Sequence, residues 1–219
     1  LGTYGGNNAG GGDDTNTLYL LNSDRGGGTD LEDSSNRDGF SSRTLATNAL
    51  IKASPFGDGK TAMYVPGTSY LDCTSSADFT FGTSGDFTVE GWFNSDDGSY
   101  RGLFTTMQSS PNSGWALGKT HGSYSGGADN IALTLNNFTT TVLKGGAPST
   151  PDKVWMHVAL VRYGSRTSLY IDGTEMDFTT SSIDFSSGSR LFSIGRTNTN
   201  GTGDNWDGYI DEIRVVKGT

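Results

Sequence analysis

The sequence predicts an all-β fold, an antiparallel β-sandwich of the jelly-roll type, and three observations support this. Short runs with alternating apolar and polar residues recur along the chain, separated by turns rich in Gly, Ser and Asn. No window keeps a helical apolar period over three turns. The strand candidates also lack the helix-length spacers that βαβ units need. Many short strands without crossover helices are typical of two packed antiparallel sheets.

Three stretches carry the clearest strand signals. Around residue 90 the chain alternates so that Phe87 and Phe93 share one face. Residues 154–161 are apolar on both faces, which indicates a central strand that is covered on both sides. The pair Asp172–Gly173 predicts a tight hairpin, because both central positions of that turn need positive φ.

The closing stretch, residues 206–217, is also predicted to be a strand because β-branched residues recur in it. On strict alternation, Asp211 shares the more apolar face with Ile213 and Val215. A carboxylate that enters a core needs backbone donors, an arginine or a metal ion as its partner. We therefore interpret Asp211 as a closing residue that ties the last strand to the loop after the first.

Charge and composition exclude several classes of function. The formal net charge of −9 argues against a nucleic-acid binder, which would need a basic stripe. An acidic surface suits cations better than anions. No apolar run approaches the roughly 20 residues of a membrane span. The single cysteine, Cys73, excludes an internal disulfide and is interpreted as a small buried hydrophobic residue.

The chain divides into two parts by composition. Residues 1–16 are rich in Gly, Asn and Asp, which is typical of a linker or arm. Residues 17–219 contain neither a second linker nor an internal repeat and are predicted to form one domain.

Several pieces of the sequence follow one another in a characteristic order. They are Asp33–Asn36, Phe56–Tyr64, Gly85–Trp92, Gly114–Gly118, Trp155–Arg162, Leu169–Gly173 and Gly208–Arg214. Together they resemble the laminin G-like branch of the concanavalin A-like lectin/glucanase superfamily. The resemblance implies a jelly roll of two curved antiparallel sheets. It also implies a module of a phage tail fibre, another virion protein or a secreted bacterial surface protein. Such modules are typically non-catalytic and often presumed to bind glycans, which places the protein on a virion or at the cell surface.

An enzyme is not expected. Glycosidases of the superfamily present their paired carboxylates from one strand, as Glu-x-Asp-x-x-Glu. The chain has only four glutamates, and none lies in that spacing: Glu32, Glu90, Glu175 and Glu212. His157 lies in an apolar strand and is interpreted as a hydrogen-bonded core residue rather than a catalytic base.

Calcium is the one cofactor that the residues suggest, because hard oxygen ligands are abundant. Similar β-sandwich modules carry a structural calcium between an N-terminal loop and the C-terminal strand. On that resemblance Asp24, Asp33 and Asp211 are the candidate ligands. The alternative is that Asp33 forms an Asx turn and Asp211 accepts backbone or arginine donors.

Sugar binding needs an exposed aromatic ring with amides or carboxylates nearby, and residues of the predicted loops supply such groups. The candidate ligand-binding residues are Asp96, Tyr100, His121, Tyr124, Asn198, Asn200 and Trp206. For Trp206, burial as a packed aromatic is the alternative. Trp92, Trp115 and Trp155 are expected in the core or on a sheet face.

We therefore carry two functions forward. The first is a non-catalytic module that recognises a cell-surface glycan. The second is a structural virion protein, a capsid decoration or fibre subunit that contacts neighbouring virion proteins and threads its Gly-rich arm into the assembly. A homo-oligomer is compatible with both. A glycosidase is the third alternative.

Overall fold

A computed structural model gives the arrangement of most of the chain. The residues that it describes are 16–21, 43–45, 50–53, 60–73, 77–97, 101–110, 112–120, 130–145, 152–186, 188, 190–199 and 204–218. They form two large antiparallel sheets, a two-stranded ribbon and one 3-10 turn at Ala77–Phe79. The predicted all-β sandwich is confirmed. Within these residues, no helix has the length and apolarity to cross a membrane.

The strands are numbered in chain order through both sheets. They are β1 (Thr17–Leu21), β2 (Arg43–Leu45), β3 (Leu50–Ala53), β4 (Thr61–Val65), β5 (Leu71–Cys73), β6 (Phe87–Ser95), β7 (Arg101–Thr105), β8 (Gln108–Ser109), β9 (Asn112–Ser113), β10 (Trp115–Lys119), β11 (Ile131–Leu135), β12 (Thr140–Lys144), β13 (Met156–Tyr163), β14 (Arg166–Ile171), β15 (Thr174–Thr179), β16 (Phe192–Ile194) and β17 (Gly208–Lys217).

The larger sheet has the strand order β15-β14-β13-β6-β17-β4-β3. One of its interior strands, β17, is the last strand in the chain. One edge of β17 pairs with β6, while β4 pairs with the start of the other edge and β1 with its end. The strand that completes this sheet therefore joins parts of the chain that lie far apart in sequence.

The smaller sheet has the strand order β12-β11-β10-β7-β16-β5-β2. Strands β8 and β9 form the separate ribbon. The edges β12 and β15 of the two sheets are joined where the backbone N–H of Lys144 donates to Asp177 Oδ2 at 2.9 Å. The sandwich is thus closed along that side.

The core lies between the two sheets and is rich in aromatic rings. Phe93 of the larger sheet meets Phe104 of the smaller one edge to face, with ring centroids 5.5 Å apart. Phe79 stacks on Phe192 at 4.7 Å. Each such side chain contributes roughly 1.5–3 kcal/mol when it is fully buried. Cys73 is buried in this core, as predicted.

Most local strand and turn predictions are confirmed. Asp172 and Gly173 have φ of 49° and 76° and connect β14 to β15. Phe87 and Phe93 both point into the core. Strand β13 lies between β6 and β14, as predicted for a central strand. The prediction that residues 154–161 are covered on both sides is wrong, because Val154 is 51% exposed and the outer face of β13 is only partly buried.

The predicted face of Asp211 is wrong, because β17 contains a bulge. The register between β17 and β6 shifts between Asp211 and Arg214, and Glu212 has a left-handed φ of 49°. The extra residue allows both Ile210 and Ile213 to face the core, where each is fully buried. Asp211 lies opposite Trp92 on the outer face, and its Oδ1 accepts the N–H of Glu212 at 2.9 Å.

Candidate ligand-binding surface

The outer face of the larger sheet carries a row of aromatic residues near one end of the sandwich. Tyr209 of β17 pairs with Tyr64 of β4 on one side and with Asn94 of β6 on the other. Met156 pairs with Phe93, so Trp155, just before β13, lies level with Asn94. We call Tyr64, Tyr209 and Trp155 the aromatic row.

The rings of the aromatic row are close enough to form one surface. The ring centroids of Tyr64 and Tyr209 are 5.1 Å apart, with planes inclined at 60°. Those of Trp155 and Tyr209 are 6.4 Å apart, inclined at 56°. Between them Asn94 is only 4% exposed, so its short side chain lets the larger rings meet above it. All three aromatic side chains are half-buried, and each keeps part of its surface exposed.

Two carboxylates lie beside the Tyr64 end of the row. The backbone N–H of Asp96 donates to the carbonyl of Asp207 at 2.8 Å, which holds these residues together. Both carboxylates lie close enough to the Tyr64 phenol for their charges to act on it. Burial raises the pKa of the Tyr64 phenol, and the charges of Asp207 and Asp96 raise it further. The phenol therefore keeps its proton and acts as a donor at neutral pH.

A lysine ammonium also lies at this end. Lys52 of β3 pairs with Ala62, two residues from Tyr64, and its side chain extends over the tyrosine ring. Its Nζ lies 3.5 Å from the Tyr64 ring centroid, a cation–π contact. The lysine is itself exposed to solvent.

A buried lysine positions the segments that carry Asp96 and Trp155. Lys119 is 1% exposed, and its Nζ donates to the Asp97 carbonyl at 3.1 Å and to Asp152 Oδ1 at 2.8 Å. The two segments are also joined directly, because the Lys153 N–H donates to the Ser95 carbonyl at 2.6 Å.

The next residues along the outer face form a charged network. His157 packs on Trp92 with ring centroids 5.3 Å apart, and its Nε2 lies 3.5 Å from Glu90 Oε2. Arg214 Nη1 donates to Glu90 Oε1 at 3.2 Å. The prediction of a core position for His157 is wrong, since the residue is half-buried on the outer face. Glu90 is thus paired with the Arg214 guanidinium and lies beside the His157 imidazole, which is the arrangement of a surface polar network rather than of an acid and nucleophile pair.

The predicted ligand-binding residues divide into three groups. Asp96 lies beside the aromatic row. Trp206 is fully buried against Phe93 at 5.4 Å, and Asn198 is 8% exposed, so the prediction that they form an open ligand surface is wrong. For Trp206, the alternative of a packed aromatic is correct. The remaining four, Tyr100, His121, Tyr124 and Asn200, lie outside the described residues.

The predicted calcium ligands are not brought together in the described part of the chain. Asp24 and Asp33 lie outside it. Residues with known placement contain no group of three or more His, Cys, Asp and Glu side chains that could hold a metal ion. Calcium binding therefore stays a prediction.

The aromatic row was missed at the sequence level, except for the prediction of Trp155 in the core or on a sheet face. Tyr209 follows Gly208 and precedes the buried Ile210, and Tyr64 precedes the buried Val65, so local alternation could place each tyrosine outward. The pairing that brings residues 64 and 209 together is long-range, and no local pattern indicates it.

Similar folds are found among solved structures. Domain 4 of AbnA, a GH43 extracellular arabinanase from Geobacillus stearothermophilus in complex with arabinotriose, is 19% identical, with a TM-score of 0.70 and 93% of each chain covered. The binding domain of Paraclostridial Mosquitocidal Protein 1 is 15% identical with a TM-score of 0.64, over 93% of this chain and 49% of that one. The binding domain of botulinum neurotoxin serotype C1 is 14% identical with a TM-score of 0.60, over 94% and 49%. This chain thus spans about half the length of the two toxin binding domains.

The sequence comparison gives the family. No curated protein matches the sequence. A family model described as concanavalin A-like lectin/glucanases superfamily matches residues 66–219, which cover all strands from β5 to β17. The chain belongs to the concanavalin A-like lectin/glucanase superfamily, as its sequence motifs indicate.

Proposed function

We propose that the protein is a non-catalytic glycan-binding module that holds a sugar against the aromatic row. The observation that carries the proposal is the row itself, three partly exposed rings beside the carboxylates of Asp96 and Asp207. The apolar face of a sugar ring packs on aromatic rings, and its hydroxyls donate to carboxylate oxygens. The combination suits a saccharide better than a purely apolar ligand.

Two further observations support this function. Domain 4 of AbnA, which shares the fold, has been solved with arabinotriose bound. In this chain Glu90 is occupied by Arg214 and His157, which favours binding without hydrolysis. Glycan recognition on the outside of a virion or cell is the setting that this role implies.

Replacing Tyr209 or Trp155 with alanine is expected to weaken sugar binding by about tenfold or more. A stacked ring contributes on the order of 0.5–1.5 kcal/mol in addition to the burial of its contact area, and the variant loses both. Binding would be measured by isothermal titration calorimetry with arabinotriose and with a panel of other neutral oligosaccharides. Melting temperatures of the variants would show that they remain folded.

The matched control is Phe178→Ala. Phe178 is an aromatic residue on the same sheet and is 48% exposed. Through the pairing of Val161, Ser168 and Phe178, it lies about 20 Å from Trp155 along the strand direction. Its removal should leave sugar binding unchanged. The proposal would be overturned if no glycan binds, or if Phe178→Ala weakens binding as much as Tyr209→Ala. Stable oligomers without glycan binding would instead favour the structural virion protein.

A structural calcium is a separate proposal, in which Asp211 binds the ion together with Asp24 and Asp33. Asp211 Oδ1 accepts the Glu212 N–H, and carboxylate oxygens are the ligands that calcium prefers. Calcium added to EDTA-treated protein is expected to raise the melting temperature, because an ion that binds only the folded state stabilises it. The rise should disappear in Asp211→Asn and persist in Asp177→Asn. An unchanged melting temperature in the unmodified protein would exclude the site.

A further inference from the structure

The aromatic row already holds an ammonium group that belongs to the chain itself. Lys52 Nζ lies 3.5 Å from the Tyr64 ring centroid, although Lys52 is exposed and its long side chain could extend into solvent. Aromatic faces attract ammonium groups through the ring quadrupole, and neighbouring carboxylates add to the attraction. The Tyr64 end of the row is thus an environment in which a primary amine is favoured.

The charges around Tyr64 favour a cationic ligand over an anionic one. Asp96 and Asp207 lie beside Tyr64, and neither forms an ion pair with a cationic side chain among the residues whose placement is known. The nearby Asp97 and Asp152 are different, because Arg101 and Lys119 neutralise them at 2.6 and 2.8 Å. The ammonium that the structure places at this end of the row is that of Lys52, on the Tyr64 ring. A ligand with a positive charge fits this balance, whereas a ligand carboxylate would be repelled.

We propose that the aromatic row selects saccharides that carry a free amino group, and that Lys52 occupies the amine position when no ligand is bound. This inference rests on the proposed glycan-binding function and specifies its ligand. The sugar ring packs on Tyr209 and Trp155, while its ammonium takes the place of Lys52 at Tyr64 and faces Asp96 and Asp207. The Lys52 ammonium therefore competes with the ligand ammonium for the Tyr64 ring and does not contact the bound ligand there.

Oligomers of glucosamine and of N-acetylglucosamine of equal length test this directly. They share the same backbone, and the acetylated oligomer carries a neutral acetamide where the other carries an ammonium. At about pH 6 and low salt, the glucosamine oligomer is expected to bind about tenfold more tightly than the N-acetylglucosamine oligomer. An effect of this size is expected from two carboxylates close to an ammonium in a water-like dielectric. The preference should shrink as salt is raised.

Three variants identify the residues responsible. Asp96→Asn/Asp207→Asn is expected to abolish the preference while the acetylated oligomer still binds. Asp177→Asn/Asp184→Asn removes the same net charge away from the row and should preserve the preference, which controls for general attraction of a polycation to an acidic protein. Lys52→Ala should tighten binding of the glucosamine oligomer, because it removes the competing ammonium.

The outcomes separate this inference from the proposed function. If neither these oligomers nor any neutral oligosaccharide binds, the glycan-binding function itself fails. If neutral or acetylated oligomers bind at the aromatic row as tightly as the amine form, only the amine selectivity is overturned. Survival of the preference in Asp96→Asn/Asp207→Asn, or weaker glucosamine binding in Lys52→Ala, would also overturn it.

Discussion

Replacing Arg162 with leucine is expected to destabilise the domain by about 3–5 kcal/mol, because a buried guanidinium organises four backbone carbonyls. Its Nε donates to Gly85 O at 2.6 Å and its Nη2 to Phe81 O at 2.6 Å. Its Nη1 donates to Gly82 O at 2.9 Å and to Ile183 O at 3.3 Å. Leucine would leave the buried carbonyls of Phe81 and Ile183 without this donor. It would also remove the part-buried bonds to the other two carbonyls.

Urea unfolding measures the expected loss, and a second arginine provides the control. Arg166 begins the next strand but is 43% exposed, and its partner Glu175 is also partly exposed. Arg166→Leu should therefore cost much less than Arg162→Leu, since exposed ion pairs contribute little. Equal losses in the two variants would show that the carbonyl network does not stabilise the fold. The stability lost in Arg162→Lys should lie between the losses in Arg166→Leu and Arg162→Leu. A single ammonium cannot reproduce the planar fork of five N–H donors.

Replacing Trp206 with alanine is expected to cost about 3–5 kcal/mol, the usual loss for a large aromatic residue in a core. The side chain is fully buried and packs edge to face on Phe93 at 5.4 Å. Its Nε1 donates to the Tyr209 carbonyl at 3.2 Å. The variant would lose both the packing and the hydrogen bond that holds the start of β17.

Trp206→Phe separates these two losses. It keeps most of the aromatic volume and removes the indole donor, so about 1–2 kcal/mol of stability should be lost. Thermal and urea unfolding measure both variants. A normal melting temperature for Trp206→Ala, combined with loss of sugar binding, would contradict the burial of this residue and support the ligand contact predicted from the sequence.

The sequence predicted what depends on neighbours along the chain. The Asp172–Gly173 turn is set by its own φ requirements, and the inward positions of Phe87 and Phe93 follow from alternation. The bulge at Glu212 was missed, because it depends on how β17 fits against β6, β4 and β1 at once. One additional residue reversed the predicted face of Asp211.

The candidate site was less predictable than the fold, because it too depends on pairing between strands that are distant in sequence. Asp96 was identified as a loop carboxylate near Tyr100 in the sequence. Tyr64 and Tyr209 are 145 residues apart in sequence (209 − 64), and the pairing of β4 with β17 makes them one surface. Trp206 was assigned to the ligand surface because polar residues surround it in the sequence, yet the chain folds it beneath β17.

The central position of β17 has a consequence for biosynthesis. During synthesis, β1, β4 and β6 leave the ribosome long before residues 208–217. Until then these three strands lack β17, the strand with which each of them pairs in the larger sheet. Unpaired strand edges are sites where nascent chains associate with one another. Pairings between distant residues also form slowly. We therefore expect association between nascent chains to be most frequent before β17 is synthesised. Chaperones and a low concentration of nascent chains should matter most in that interval.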